Sequence, residues 1–177
     1  DDGPFPLVLF SHGFASYRLQ STFLTTHLAS WGFVVASPDY LERGLRAVLG
    51  EPPARARNDV DVADEAIDTV RELGTTAGHR LEGTVEQTAV FPVGHSAGGG
   101  TSLRLLGRAD VAAAIPLASG LSLVNLLEGR LPLPPGKAVT WIAAPADRIV
   151  SIDDVRRGYD YTAGARRIVE LSGSGHV

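Results

Sequence analysis

No cysteine occurs among the 177 residues, and no methionine either. The first absence excludes disulfides, thiolate nucleophiles and cysteine-ligated metals, although it assigns no compartment, because cytosolic and secreted proteins can both lack cysteine. The second implies that Asp1 is not the translated start, and no signal peptide can be read. Long apolar runs are also missing. Val111–Ala118 is the longest, and Pro116 interrupts it; a membrane-spanning helix needs roughly 20 apolar residues. Basic runs are missing too. With 16 Lys+Arg against 20 Asp+Glu the formal net charge is −4, and without a Lys/Arg cluster to grip phosphates nucleic acid is not an expected partner. What remains is a globular composition, 44% hydrophobic and 20% charged, at a length that fits one domain over residues 1–177.

Short apolar segments alternate with helical patterns. Leu7-Val8-Leu9-Phe10 reads as a buried strand stopped by Ser11-His12-Gly13. From Tyr17 to Trp31, residues Leu19, Phe23, Leu24, His27 and Leu28 recur at helical spacing, and Gly32 supplies a stop. Phe33–Ala36 is the next strand. Leu41–Arg57, rich in Arg, Gly and Pro, reads as an irregular connection. Asn58 is a fitting N-cap for a helix with Val60, Ala63, Ile67 and Val70 on one face. Further strands are expected at Ala89–Val93, Val111–Leu117, Ala138–Ala143 and Arg167–Leu171, with helices over Ala97–Leu106 and Ile152–Tyr161. Continuously apolar strands alternating with helices predict an α/β protein, its mostly parallel sheet covered on both faces. Trp31 and Trp141 are read as core residues.

Gly94-His95-Ser96-Ala97-Gly98 fits G-x-S-x-G, and it lies between an apolar strand and a small-residue helix start. The pattern has a steric meaning. A serine on a sharp strand-to-helix turn takes an unfavourable backbone conformation, and flanking glycines let strand and helix approach each other. The hydroxyl is thereby raised above the sheet edge, beside the first amides of the helix. A P-loop is excluded, since no Lys-Ser/Thr follows the glycines.

A serine nucleophile needs a base, and after such an elbow the partners follow in the order Ser, acid, His. His12, His27, His79 and His95 all lie at or before the elbow, leaving His176 in the loop Ser172–His176. For the acid, Asp147 comes directly off the C-terminal end of the expected 138–143 strand, where the catalytic groups of open α/β sheets collect. Asp153 and Asp154 are the alternatives, although a carboxylate in the first turn of a helix is also explained by the helix dipole.

The oxyanion of an acyl-transfer intermediate needs two preorganised donors. The Ala97 N–H follows the nucleophile, and the second donor is expected from the Ser11–Phe14 loop, where Gly13 permits a bend that turns the Phe14 N–H inward. His95 reads as packing beneath the elbow and His12 as a brace of its loop. Asp59, Asp61, Asp64 and Glu65 lack the pattern of a calcium loop and read as a solvated acidic helix start. The leucine-rich stretch Leu121–Pro135 reads as cover for the sheet or as a substrate-contacting cap.

With these residues in place the sequence resembles the α/β-hydrolase superfamily. Phe5–Phe14 and His27–Val35 are similar to the branch that holds cutinase-type polyester hydrolases, platelet-activating-factor acetylhydrolases and chlorophyllase-like esterases, as are Ala113–Leu117 and Ala146-Asp147. The resemblance implies a serine carboxylic ester hydrolase with Ser96, Asp147 and His176 as triad, Phe14 and Ala97 amides as oxyanion hole, a small-molecule ester as substrate and no cofactor. It also implies strands before the first one read here and a helix after the histidine loop, so the chain is expected to be incomplete at both ends. Polyester hydrolases of this type carry a tryptophan soon after the Ala-Ile-Pro-Leu strand, where this chain has Ala118-Ser119-Gly120. Short-chain esters are therefore the expected substrates. A related acyl hydrolase (thioesterase, amidase, phospholipid acetylhydrolase or polyester hydrolase) and a non-catalytic binding module on the same fold are the alternatives.

Overall fold

Four consecutive core residues lie within the first strand: Leu7, Val8, Leu9 and Phe10 are all buried, so both faces of this strand are covered. The computed structural model describes residues 3–122 and 133–176. Among these, six strands form one sheet: β1 (Phe5–Ser11), β2 (Val34–Ala36), β3 (Val85–His95), β4 (Ala113–Leu117), β5 (Ala138–Ala143) and β6 (Arg166–Glu170). Their order is β2-β1-β3-β4-β5-β6, and every neighbouring pair is parallel. Parallel neighbours require crossovers, which is what the intervening helices supply.

Helices described in full are α1 (Thr22–Ser30), the short α2 (Leu45–Val48), α3 (Asp59–Thr75), α4 (Ala97–Arg104) and α5 (Ile152–Tyr161). On one side of the sheet Ile67 of α3, Leu103 of α4 and Val155 of α5 join Leu7, Leu9 and Trp141 in the main core. On the other side Leu24 and Leu28 of α1 pack against Val8, Phe10 and Val93. Helices thus cover both faces. Asn58 caps α3 as expected, its side chain accepting from the Val60 N–H at 2.7 Å.

Several expectations are corrected. The helix read from Tyr17 begins only at Thr22, because residues 18–21 are turns whose Gln20 side chain is committed elsewhere. Trp31 is not core. It is 73% exposed just past the end of α1, edge-on to His27, and the chain reverses at Gly32 with φ of +88°; helical spacing does not say which side of a terminal turn faces outward. Helix α2 interrupts the connection read as irregular, β3 starts four residues earlier than expected, and α4 tightens into a 3-10 turn over Leu105–Gly107. Of the leucine-rich stretch, Leu123, Leu126, Leu127 and Leu131 lie outside the described residues, while Leu133 belongs to the core.

The strand order positions the chemistry. From β1 the chain moves outward to β2 and then crosses to the other side of β1 to make β3. A crevice opens at the C-terminal ends of strands where the order reverses in this way, and ligands of doubly wound sheets bind there. The loop after β1 carries Gly13 and Phe14; the turn after β3 carries Ser96.

Candidate active site

Ser96 has φ of 53° and ψ of −119°, a conformation that costs a non-glycine residue about 1–3 kcal/mol. Neighbouring backbone holds it there. The Ser96 N–H donates to the Leu117 carbonyl across the sheet at 2.8 Å, and the Gly99 N–H donates to the Ser96 carbonyl at 2.9 Å. Two glycines make the turn sterically possible: a Cβ at Gly94 would run into the Gly98 carbonyl, and one at Gly98 into the carbonyl oxygens of Ser11 and His12. Helix α4 is thereby pressed onto the end of β1.

Asp147 lies in the loop that leaves β5, its side chain 2% exposed. Its Oδ1 accepts from the N–H groups of Ile149 at 2.8 Å and Val150 at 2.9 Å, and its Oδ2 from His176 Nδ1–H at 2.8 Å. Burial works against the charge, but the Val150 amide, the imidazole and the Ile149 amide together outweigh it and hold the carboxyl below its ordinary range. A carboxylate only accepts, so His176 carries its proton on Nδ1. In the neutral ring that leaves Nε2 bare, and it stands 3.0 Å from Ser96 Oγ. The structure therefore brings together three side chains separated by 80 residues of sequence. It does not bring the alternative acids there: Asp154 accepts from the Ser122 N–H and Oγ–H and pairs with Arg157, and Asp153 lies exposed beside Arg156.

The loop after β1 rests against the elbow, since a Cβ at Gly13 would lie 3.4 Å from Ser96 Cβ. The Gly13 N–H is occupied, donating to Gln20 Oε1 at 2.8 Å. The next amide is that of Phe14, whose ring is 66% exposed, and Ala15, with φ of 55°, turns the chain back so that its N–H meets the Arg43 carbonyl. Ala97 opens α4, where a first-turn N–H has no helical acceptor. The Ala97 amide thus follows the residue that bears the hydroxyl, and the Phe14 amide belongs to the loop that rests against it.

His12 is fully buried and braces its loop: Nδ1–H donates to the Gly13 carbonyl at 2.8 Å, and Nε2 accepts from the Tyr40 N–H at 3.0 Å. Burial pushes its pKa below the ordinary 6.5. The unfolded chain therefore binds a proton near 6.5 that the folded one refuses, so this contribution to stability is complete above that pH and is lost as pH falls through the window beneath it. The melting temperature is expected to fall on acidification from about pH 7.5 to 5.5, with a shallower fall in His12→Asn; equal slopes would show that His12 does not set this dependence.

His95 is more than packing. Its Nδ1 lies 2.8 Å from Gln20 Nε2 and its Nε2 2.6 Å from the His176 carbonyl. Sequence reasoning missed Gln20, a lone amide in a polar loop that carries no pattern. The acidic start of α3 is spoken for by arginines: Asp59 pairs with Arg43, Asp64 with Arg108 and Glu65 with Arg57. No group of side chains among the described residues is arranged to hold a metal ion. None of the described helices is long and apolar enough to cross a membrane.

Comparison with known proteins gives a consistent pattern. The family model described as chlorophyllase matches residues 1–124. The bis(hydroxyethyl) terephthalate hydrolase of Streptomyces coelicolor is 31% identical over 117 residues, 66% of this chain and 33% of that protein. Cutinase est1 of Thermobifida alba is 30% identical over 118 residues, 66% of this chain and 36% of the relative. The matched part of the chain thus spans about a third of the length of these curated relatives.

Proposed function

Since the chain belongs to the chlorophyllase family, with its α/β-hydrolase fold, we propose that it is a serine carboxylic ester hydrolase working through Ser96, His176 and Asp147. The observation that carries this reading is the unbroken line of hydrogen bonds from Asp147 Oδ2 through the imidazole to Ser96 Oγ, 2.8 and 3.0 Å. The relatives named as cutinase and as bis(hydroxyethyl) terephthalate hydrolase support the reaction class.

In the proposed cycle His176 Nε2 takes the Ser96 proton as Oγ attacks the ester carbonyl. Asp147 keeps the imidazole in its Nδ1–H tautomer and stabilises the cation that forms. The oxyanion is held by the Phe14 and Ala97 amides, after which the imidazolium gives its proton to the departing alcohol. Water then repeats the sequence and releases the acid. Labelling by a fluorophosphonate tests the nucleophile: wild type should be modified at Ser96 and Ser96→Ala should not. Labelling that persists in the variant would place the nucleophile elsewhere.

Substrate range follows from the walls around Ser96. Phe14 stands exposed on one side. On the other, Ser119 and Gly120 are buried, the former against Gly99 and the latter against Asp154, so neither of these two described residues projects a side chain as a clamp. The cleft of about 830 Å³ that His176 helps to line is also lined by Phe23, Leu117, Ile142 and Leu171 but by neither Ser96 nor Phe14. Each added methylene contributes about 0.8 kcal/mol only if it is buried. On p-nitrophenyl esters kcat/KM is accordingly expected to peak between acetate and hexanoate, with weak action on aromatic polyesters. A maximum at dodecanoate would show a deeper acyl site than these walls provide.

A further inference from the structure

His176 sits on a loop with little backbone support. After the Leu171 N–H meets the Ala143 carbonyl, residues 172–175 are all exposed, and Ser174 bonds only back to Leu171. Among the described residues, the one hydrogen bond tying the backbone of residues 172–176 to anything beyond the adjoining Leu171 is that from His95 Nε2 to the His176 carbonyl, 2.6 Å long. His95 is in turn joined to Gln20, and Gln20 to the Gly13 amide. A chain of hydrogen bonds therefore runs from the loop carrying the oxyanion donor to the loop carrying the base.

The proton positions along this chain are forced from both ends. A carbonyl oxygen only accepts, so His95 carries a proton on Nε2. A backbone N–H only donates, so Gln20 turns Oε1 to Gly13, which leaves its Nε2 amide to donate to His95 Nδ1. His95 must then be neutral with Nδ1 bare. A second proton on Nδ1 would set N–H against NH2; turning the Gln20 amide over would cure that only by setting NH2 against the Gly13 N–H. The groups facing His95 agree with a neutral ring. The His176 imidazole lies 4.8 Å away, ring to ring, and must itself become positive during turnover, while the Asp147 carboxylate beyond it is already paired. Burial, with the His176 charge adding to it, also lowers the His95 pKa, outweighing the opposite pull of the bond to the His176 carbonyl and of Asp147.

We propose that Gln20 and His95 are positioning residues of the reaction: together they lock the backbone of the base-bearing loop to the oxyanion loop, so that His176 Nε2 and the Phe14 amide are held in register over Ser96. The inference rests on the hydrolase reading above. Neither residue touches the reacting atoms. Their effect is on the placement of those that do, and a displacement on the order of 1 Å at a reacting group lowers rate by about 100-fold.

The test compares Gln20→Leu, His95→Phe and His95→Gln with wild type and Ser96→Ala, on a short p-nitrophenyl ester. Gln20→Leu and His95→Phe should lose about 10- to 100-fold in kcat with KM within about 3-fold, because substrate binding is left alone. His95→Gln should recover most of that loss, since an amide can donate to the His176 carbonyl and accept from Gln20 with the same polarity. Independently of activity, the ring nitrogens of His95 in the wild-type protein should show by 15N NMR a protonated Nε2 and a bare Nδ1 at neutral pH. Losses below 2-fold in both apolar variants, an equal loss in His95→Gln and His95→Phe, or a protonated Nδ1 would overturn the proposal. If wild-type turnover does not depend on Ser96, the hydrolase reading falls and this inference with it, an outcome distinct from a Ser96-dependent enzyme indifferent to Gln20 and His95.

Discussion

Ser96→Ala should lower turnover by about 10⁴-fold or more while leaving the fold in place. Only the Oγ is removed. The backbone bonds that hold the elbow, from the Ser96 N–H to Leu117 and from Gly99 to the Ser96 carbonyl, do not involve the side chain. The His176 Nε2 loses its hydrogen-bond partner but stays oriented by Asp147. Residual rate would come from the two amide donors acting on a carbonyl attacked by water, as members of such a unit act together and their losses do not add. Steady-state kinetics on a p-nitrophenyl ester, beside a thermal melt, measures both parts. More than a tenth of wild-type activity in a folded variant would remove Ser96 from the mechanism.

Asp147→Asn should cost about 10³- to 10⁴-fold in kcat, and the local hydrogen bonds say why. Ile149 and Val150 both present N–H groups to Oδ1, so an asparagine must keep its oxygen on that side. Its NH2 then faces His176 Nδ1. A donor there demands the opposite tautomer, with the proton on Nε2, and an imidazole so arranged cannot accept from Ser96 Oγ. The substitution is nearly isosteric, so the melting temperature should move little compared with the rate. Were Asp153→Asn or Asp154→Asn to produce the larger loss, the orienting carboxylate would lie one loop further on. The network around Asp154, which serves Ser122 and Arg157, argues that its replacement acts on stability instead.

The parts of this architecture legible in the sequence are those that depend on near neighbours. Leu7–Phe10 reads as a doubly covered strand because four apolar side chains in succession can be buried only with a layer on each side. Asn58 reads as a cap, and Gly94-x-Ser-x-Gly98 as a strained strand-to-helix turn, because both are local steric and hydrogen-bonding problems with few solutions. Failures came where an outcome depended on distant groups. Trp31 has the composition of a core residue and the spacing of a helical face, yet it lies past the last turn of α1 and is mostly exposed. Tyr17–Gln20 fit the helical pattern but are held out of the helix by the commitment of Gln20 to Gly13 and His95.

By itself, then, the sequence determined the alternation of strands and helices, the elbow at Ser96 and, through the order of residues along the chain, that His176 alone of the five histidines follows the elbow. Only the tertiary structure decided which carboxylate faces that histidine, that the Gly13 amide is occupied by Gln20, and that His95 and Gln20 join the two loops. The physical reason is one of range. Backbone sterics and apolar periodicity act over a few residues and are written in consecutive letters, whereas the contacts of Ser96, Asp147, His176 and Gln20 exist only after the sheet order has brought the ends of β1, β3, β5 and β6 to one edge.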